Sequence, residues 1–311
     1  MTKKHWHLLI HKTLVNVKDS ESLRDQICIY YKIGSALNTL TESLNTGLIK
    51  EGMVKFLASQ KTFVITGGTS GIGRELVYAL SSPDSNIVFT GRNLQNGREI
   101  VEKLGTGKSE FYALDQSNMK DVIEFTKWLS DKELNICGLV NNASRNSRYG
   151  ILNISLTEWN EVLNLIITST MLISQAVANQ MIRTKTHGKI INMGAIQYLA
   201  PLNSSLAYAA AKGALVSMGR SMAVDLGKYG IQVISLIPGP IYSKGSEPDA
   251  YLDSNAATLL GRFGRMREIS DLVSFLLSDR NSFMTGNEII VDGGRLISRK
   301  EDPKEITSGK I

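Results

Sequence analysis

Thr62-Phe63-Val64-Ile65-Thr66-Gly67-Gly68-Thr69-Ser70-Gly71-Ile72-Gly73 is a β-branched and aromatic run that feeds without a spacer into a glycine cluster. The apolar part suits a buried strand. Gly67 permits a tight turn, Gly71 lets the backbone approach a pyrophosphate, and Gly73 allows close packing of the following helix on the strand. That helix, amphipathic over Arg74–Ser82, begins near Gly71 and aims unpaired backbone amides at whatever anion sits on the turn. A glycine triplet alone is equally a structural turn. The strand before it and the helix after it point to a dinucleotide cradle formed by Gly67, Thr69, Ser70, Gly71, Ile72 and Gly73.

Outward from this turn, apolar strands alternate with helical stretches. Strands are expected at Thr62–Thr66, Asn86–Thr90, Glu110–Leu114, Cys137–Asn141, Lys189–Met193, Gln232–Ile237 and Glu288–Val291. Helices are expected near 71–82, 94–104, 118–131, 156–183, 206–228 and 267–278. The alternation predicts an α/β fold: a Rossmann-type doubly wound parallel sheet with helices on both faces. Its ligand crevice should open at the carboxyl ends of the strands. This domain spans 59–294, followed by a polar tail over 295–311. Residues 1–58 differ: Leu23, Ile27, Tyr30, Ile33, Leu37, Leu40 and Leu44 recur at helical spacing, capped by Ser20. Gly34 and Gly47 leave open whether this helical N-terminal extension is one helix or two.

Composition narrows the function classes. With 42% hydrophobic and 21% charged residues the 311-residue chain is a folded domain, not a low-complexity one. A net charge of +6 favours phosphorylated ligands, but no basic stripe interleaved with aromatics suggests nucleic acid. Cys28 and Cys137 give neither a disulfide framework nor metal-ligand spacing, which fits a reducing compartment. His5, His7 and His11 lack an acid or cysteine beside them, so no metal is expected. The N-terminal apolar run is too short for a signal peptide, and no uninterrupted apolar stretch suggests a membrane span. A cytoplasmic protein is expected.

Arg92 stands just past the second strand in Thr90-Gly91-Arg92-Asn93, with no acid close behind it. An acid there would grip a free ribose diol, whereas an arginine pairs with a 2′-phosphate. NADP(H) is therefore expected over NAD(H).

Further motifs follow in order: Leu114-Asp115-Gln116-Ser117, Val140-Asn141-Asn142-Ala143-Ser144, Trp159-x-x-x-Leu163-Asn164, Tyr208-Ala209-Ala210-Ala211-Lys212, Pro238-Gly239-Pro240-Ile241-Tyr242-Ser243 and Val291-Asp292-Gly293-Gly294. With the glycine turn, these resemble the short-chain dehydrogenase/reductase family over about residues 60–294. The resemblance implies an adenine-side Asp115, an Asn-Asn-Ala-Gly strand end at Asn142 with Ser144 in place of the glycine, and an active-site Asn164. It also implies a Tyr208/Lys212 pair and nicotinamide-side contacts from Pro238, Gly239, Ile241 and Ser243. Lys212 should hold the nicotinamide ribose, and Asn164 a water linking that lysine to solvent. Family members are typically tetramers or dimers, so a homo-oligomer is implied.

The chemistry of the pair follows from spacing. Four residues apart on a helix, Tyr208 and Lys212 share a face. A phenol with a pKa of about 10 is a poor acid or base at neutral pH, and a nearby ammonium lowers that value. The tyrosine can then exchange a proton with a carbonyl or hydroxyl oxygen. Asn164 lies in an apolar helix, where an unpaired amide is costly, so it needs a polar partner.

Besides Ser144, two features depart from the family. Thirteen residues before Tyr208, where the family has a serine, stands Ala195. Four explanations compete: another side chain on the substrate side (Gln197, Ser204 or Ser205), a substrate that needs no second donor, a chain that binds cofactor without catalysis, or an introduced change. The second departure is the N-terminal extension. Two functions are weighed: reduction of a small-molecule or carrier-bound ketone, such as a 3-oxoacyl thioester, with Lys244–Leu260 as a lid, or a catalytically impaired scaffold or regulatory partner. The run Gly261-Arg262-Phe263-Gly264-Arg265 resembles the 3-oxoacyl reductase branch.

Overall fold

The computed structural model describes residues 60–105, 109–132, 134–242 and 258–298. The expected N-terminal helices, the histidine cluster, Cys28, Ser243 and most of the expected lid lie outside these residues. So does the tail beyond Ser298.

Seven strands form one parallel sheet: β1 (Lys61–Ile65), β2 (Ser85–Gly91), β3 (Ser109–Ala113), β4 (Ile136–Asn141), β5 (Lys189–Met193), β6 (Gln232–Pro238) and β9 (Glu288–Val291), in the order β3-β2-β1-β4-β5-β6-β9. A short parallel pair, β7 (Ile241–Tyr242) and β8 (Gly264–Arg265), sits apart from it. The helices are α1 (Gly71–Leu80), α2 (Leu94–Leu104), α3 (Met119–Asp131), α4 (Leu156–Leu163), α5 (Ser169–Thr184), α6 (Leu206–Leu226) and α7 (Met266–Leu277). The order reverses at β1 and β4, so the crevice expected at a switch point lies above their carboxyl ends.

Both faces of the sheet are covered, which is why its strands read as nearly unbroken apolar runs. Successive residues of a strand point to opposite faces. Val64, Val88, Leu139 and Ile190 pack with Val122, Phe125 and Leu129 of α3 and Ile173 and Val177 of α5. Their neighbours Ile65, Phe89, Val140 and Ile191 pack with Leu76 and Val77 of α1 and Ile269 and Val273 of α7.

The expected helix 156–183 is continuous but not uniform: a π-helical turn, Asn164–Thr168, separates α4 from α5. The Ser169 amide donates to the Asn164 carbonyl, five residues back. By length and composition the run Leu156–Thr184 could cross a membrane. Its buried side chains Val162, Ile166, Ile173 and Val177 instead belong to the core. At the other end of the domain, Arg295–Ile297 forms a 3-10 turn whose Leu296 packs on Ile196, Val216 and Ile237. Leu296 therefore packs with the domain.

The tightest packing joins α1 to the glycine turn. A Cβ on Gly73 would lie 2.1 Å from the Gly67 carbonyl oxygen and 2.5 Å from Asn142 Nδ2, whereas at Gly71 it would meet nothing within 4 Å. Gly73→Ala is expected to destabilise the protein by roughly 1–3 kcal/mol through overpacking against backbone. At Gly71, with φ +53°, alanine adds only the left-handed strain of about 1 kcal/mol. Urea unfolding of both variants checks this, and a Gly73→Ala cost no greater than that of Gly71→Ala would contradict it.

Candidate active site

The carboxyl ends of β1, β2, β4, β5 and β6 open into one cleft of about 670 Å³. It gathers the expected Gly67, Thr69, Ser70, Ile72, Gly73, Arg92, Asp115 and Asn142 with Ala195, Gln197, Tyr208, Lys212, Pro238, Gly239 and Ile241. Gly71, Asn164 and Ser205 are not among the lining residues. Asn93, Asn96, Ser144 and Arg145 line the cleft without having been singled out as site residues. Of these, only Ser144 carried a signal, as a departure from the expected glycine.

The glycine turn is held by hydrogen bonds from β2, from the end of β4 and from α2. Gly68 N donates to Thr90 O of β2 at 2.7 Å. Thr66 Oγ1 accepts from Asn142 N (3.0 Å) and Ala143 N (3.1 Å), while Asn142 Nδ2 donates back to the Thr66 and Gly67 carbonyls at 3.0 and 3.2 Å. The Asn142 amide nitrogen is thus committed to shaping the turn. Asn96 Nδ2 adds a bond to Thr69 O at 3.3 Å.

The residues fit a dinucleotide. Ser70, at the N-cap of α1, makes no side-chain cap, and the first turn contains no acid. By contrast, α2, α3 and α4 are capped by Asn93, Asn118 and Ser155. The free amides and positive dipole end of α1 suit a pyrophosphate. Lining charges are Arg92, Arg145 and Lys212 against one acid, Asp115. Burial pushes the Asp115 carboxyl up, but hydrogen bonds from the Ser117 hydroxyl and amide, helped by Arg92 and Arg145, outweigh it and hold the pKa below the usual value.

Tyr208 and Lys212 occupy successive turns of α6. Lys212 is only 2% exposed, and its Nζ donates to Met193 O at the end of β5, at 2.6 Å. The expectation that an ammonium lowers the phenol pKa is not met in this structure. Burial pushes Tyr208 up to about 12 and Lys212 down to about 7, with the Ser144 hydroxyl pulling Tyr208 the other way. The reason is geometric: Nζ is engaged with Met193 and lies 5.6 Å from the Tyr208 ring centroid, so desolvation governs both groups.

Asn164 opens the π turn and has a polar partner, accepting from Thr168 Oγ1 at 3.3 Å. Ala195 presents a methyl group to the cleft and is 6% exposed. Gln197 lines the same cleft. Ser205 does not supply the missing hydroxyl: α6 starts one residue later, and Ser205 Oγ donates to Leu202 O at 2.6 Å. Ser204 also stays off the lining, in a left-handed conformation at φ +56°.

A sequence model of the family described as enoyl-(acyl carrier protein) reductase matches residues 66–295. The L-rhamnose 1-dehydrogenase (NADP(+)) of Thermoplasma acidophilum is 32% identical over 249 residues, 76% of this chain and 97% of that protein. The 3-oxoacyl-(acyl-carrier-protein) reductase FabG of Buchnera aphidicola subsp. Schizaphis graminum is 28% identical over 241 residues, again 76% of this chain and 97% of that one. Among solved structures, the acetoin dehydrogenase YohF of Salmonella typhimurium superposes with a TM-score of 0.69 at 28% identity, covering 77% of this chain and 98% of that chain.

The buried lysine has a consequence for stability. Lys212 ionises near pH 7 when folded, against 10.5 as a free side chain. Between those values the unfolded chain binds the extra proton, so stability rises with pH. Tyr208 acts in the opposite sense, but only above about pH 10. From pH 7 to 9 the nucleotide-free protein is expected to gain roughly 2 kcal/mol relative to Lys212→Met. Urea unfolding of both at the two pH values measures the gain. Parallel pH dependences would show that Lys212 titrates normally.

Proposed function

The chain belongs to the short-chain dehydrogenase/reductase family and is an oxidoreductase, and from that premise we propose that it reduces a ketone to an alcohol with NADP(H). The observation that carries this reading is the single cleft that joins the uncapped α1 N-terminus and Arg92 at one end to Tyr208 and Lys212 at the other.

Arg92 selects the cofactor by pairing with a 2′-phosphate, with no acid on the lining at the end of β2 to favour a free diol. When bound, a nicotinamide supplies the hydride that the carbonyl carbon accepts. Tyr208 Oη, fully protonated at neutral pH, hydrogen-bonds the carbonyl oxygen and gives up its proton as that oxygen gains negative charge. Lys212, with a pKa of about 7, is poised to hold a proton or release it near neutrality, and its bond to Met193 O fixes it one turn from the tyrosine. Asn164 acts through the π turn that it opens. The family resemblance assigns Pro238, Gly239 and Ile241 to the nicotinamide side, together with Ser243, which lies outside the described residues.

The substrate is a small-molecule or carrier-bound ketone, and the name of the Buchnera relative supports a 3-oxoacyl thioester. The scaffold alternative raised by Ala195 gains no support, since the matched relatives carry the names of dehydrogenases and reductases. A cytoplasmic homo-oligomer, tetramer or dimer, accompanies this reading. The exposed apolar side chains Val224, Phe283 and Ile290 support self-association.

NADPH oxidation with an acetoacetyl thioester, diacetyl and cyclopentanone as probes tests the activity. Tyr208→Phe is expected to lower kcat by roughly a hundredfold or more, and turnover that survives this change would reject the proton donor. Arg92→Ala is expected to weaken NADPH binding about tenfold or more while leaving NADH nearly unchanged, as read by nucleotide fluorescence. Equal losses for the two nucleotides would reject the 2′-phosphate role.

A further inference from the structure

The two departures from the family pattern in the catalytic half of the cleft are complementary. Position 195 has lost a hydroxyl, and position 144, where a glycine was expected, has gained one. Ser144, Ala195 and Tyr208 line the same cleft, and the Ser144 hydroxyl lies near enough to the Tyr208 phenol to pull against the effect of its burial. We propose that Ser144 takes over the task of the absent hydroxyl, fixing the Tyr208 oxygen and stabilising it as the proton leaves. This rests on the reading of Tyr208 as the group that exchanges the proton.

The chain before Ser144 is fastened through its backbone, and the residue after it through its side chain. Asn142 N and Ala143 N both donate to Thr66 Oγ1, tying the chain to the end of β1. On the other side, Arg145 forms paired bonds to Glu158 of α4 at 3.1 and 3.0 Å and a third to Glu161 at 2.8 Å. Two-sided anchoring of this kind preorganises a donor, so it need not be reoriented when charge develops on its partner. Neither Ser204 nor Ser205 competes. Ser205 Oγ is used by Leu202 O, and neither Ser204 nor Ser205 reaches the cleft.

Ser144 is therefore a positioning residue that acts through Tyr208. Its O–H donates to the phenol oxygen, and the bond strengthens as that oxygen becomes phenolate, as hydrogen bonds to charged groups do. Losing it should make the phenolate harder to form.

The test follows Tyr208 directly by carbon-13 NMR of protein labelled at tyrosine Cζ and saturated with NADP(+), its resonance assigned by its loss in Tyr208→Phe. Ser144→Ala is expected to move the ionisation midpoint upward by about 1–2 pH units. Ser144→Thr should keep the original midpoint. Adding Ala195→Ser to Ser144→Ala should bring it at least halfway back, whereas Ala195→Ser alone should move it far less. NADP(+) affinity measured in each variant confirms an intact fold. An unchanged midpoint in Ser144→Ala, or no return on adding Ala195→Ser, overturns the proposal. The arms also separate the two claims. If Tyr208→Phe abolishes turnover of the ketone probes while Ser144→Ala leaves the midpoint alone, only the role of Ser144 falls. If Ser144→Ala moves the midpoint but Tyr208→Phe still turns over, the proton-donor reading falls and the contact stands.

Discussion

The exchange of hydrogen bonds between Thr66 and Asn142 is the constraint on which the site depends. It joins the ends of β1 and β4, the two strands at which the order of the sheet reverses. One side of the exchange shapes the glycine turn through the Thr66 and Gly67 carbonyls, and the other fixes the chain that carries Ala143 and Ser144. The glycine turn and the proposed catalytic half are thus built from one set of contacts. The close approach of Gly73 to the Gly67 carbonyl and Asn142 Nδ2 depends on the same arrangement.

Much of this was legible in the sequence because a parallel sheet covered on both faces leaves a simple trace. Val64 and Ile65 are buried on opposite faces, so the strand reads as continuous apolar residues with no polar face to confuse its limits. The expected strands lie within a residue or two of the observed ones for this reason. The π turn at Asn164 left no such trace, since widening one helical turn changes backbone bonding without changing the apolar spacing. Arg145 and Asn96 were missed on similar grounds. Their positions in the cleft come from how a loop and a helix N-terminus fold back, which neither residue type nor spacing announces.

Electrostatics was the least legible part. Spacing placed Lys212 beside Tyr208, but the sign of the effect on the phenol depended on burial and on the competing acceptor Met193 O. In a dry site each group favours its neutral form, and spacing alone contains no information on dielectric. Ser205 was misplaced for a different reason: its apparent place on the helix face disappears once α6 begins at Leu206.

The uncapped start of α1 has a wider meaning for how this protein survives in a cell. The helices α2 and α3 quiet their N-termini with their own side chains, whereas α1 makes no side-chain cap and leaves its first amides for an anionic ligand. For any ligand that binds there, the free energy of unfolding rises with the logarithm of its concentration above Kd and falls back when the ligand is drained. Stability would then depend in part on ligand supply rather than on the sequence alone.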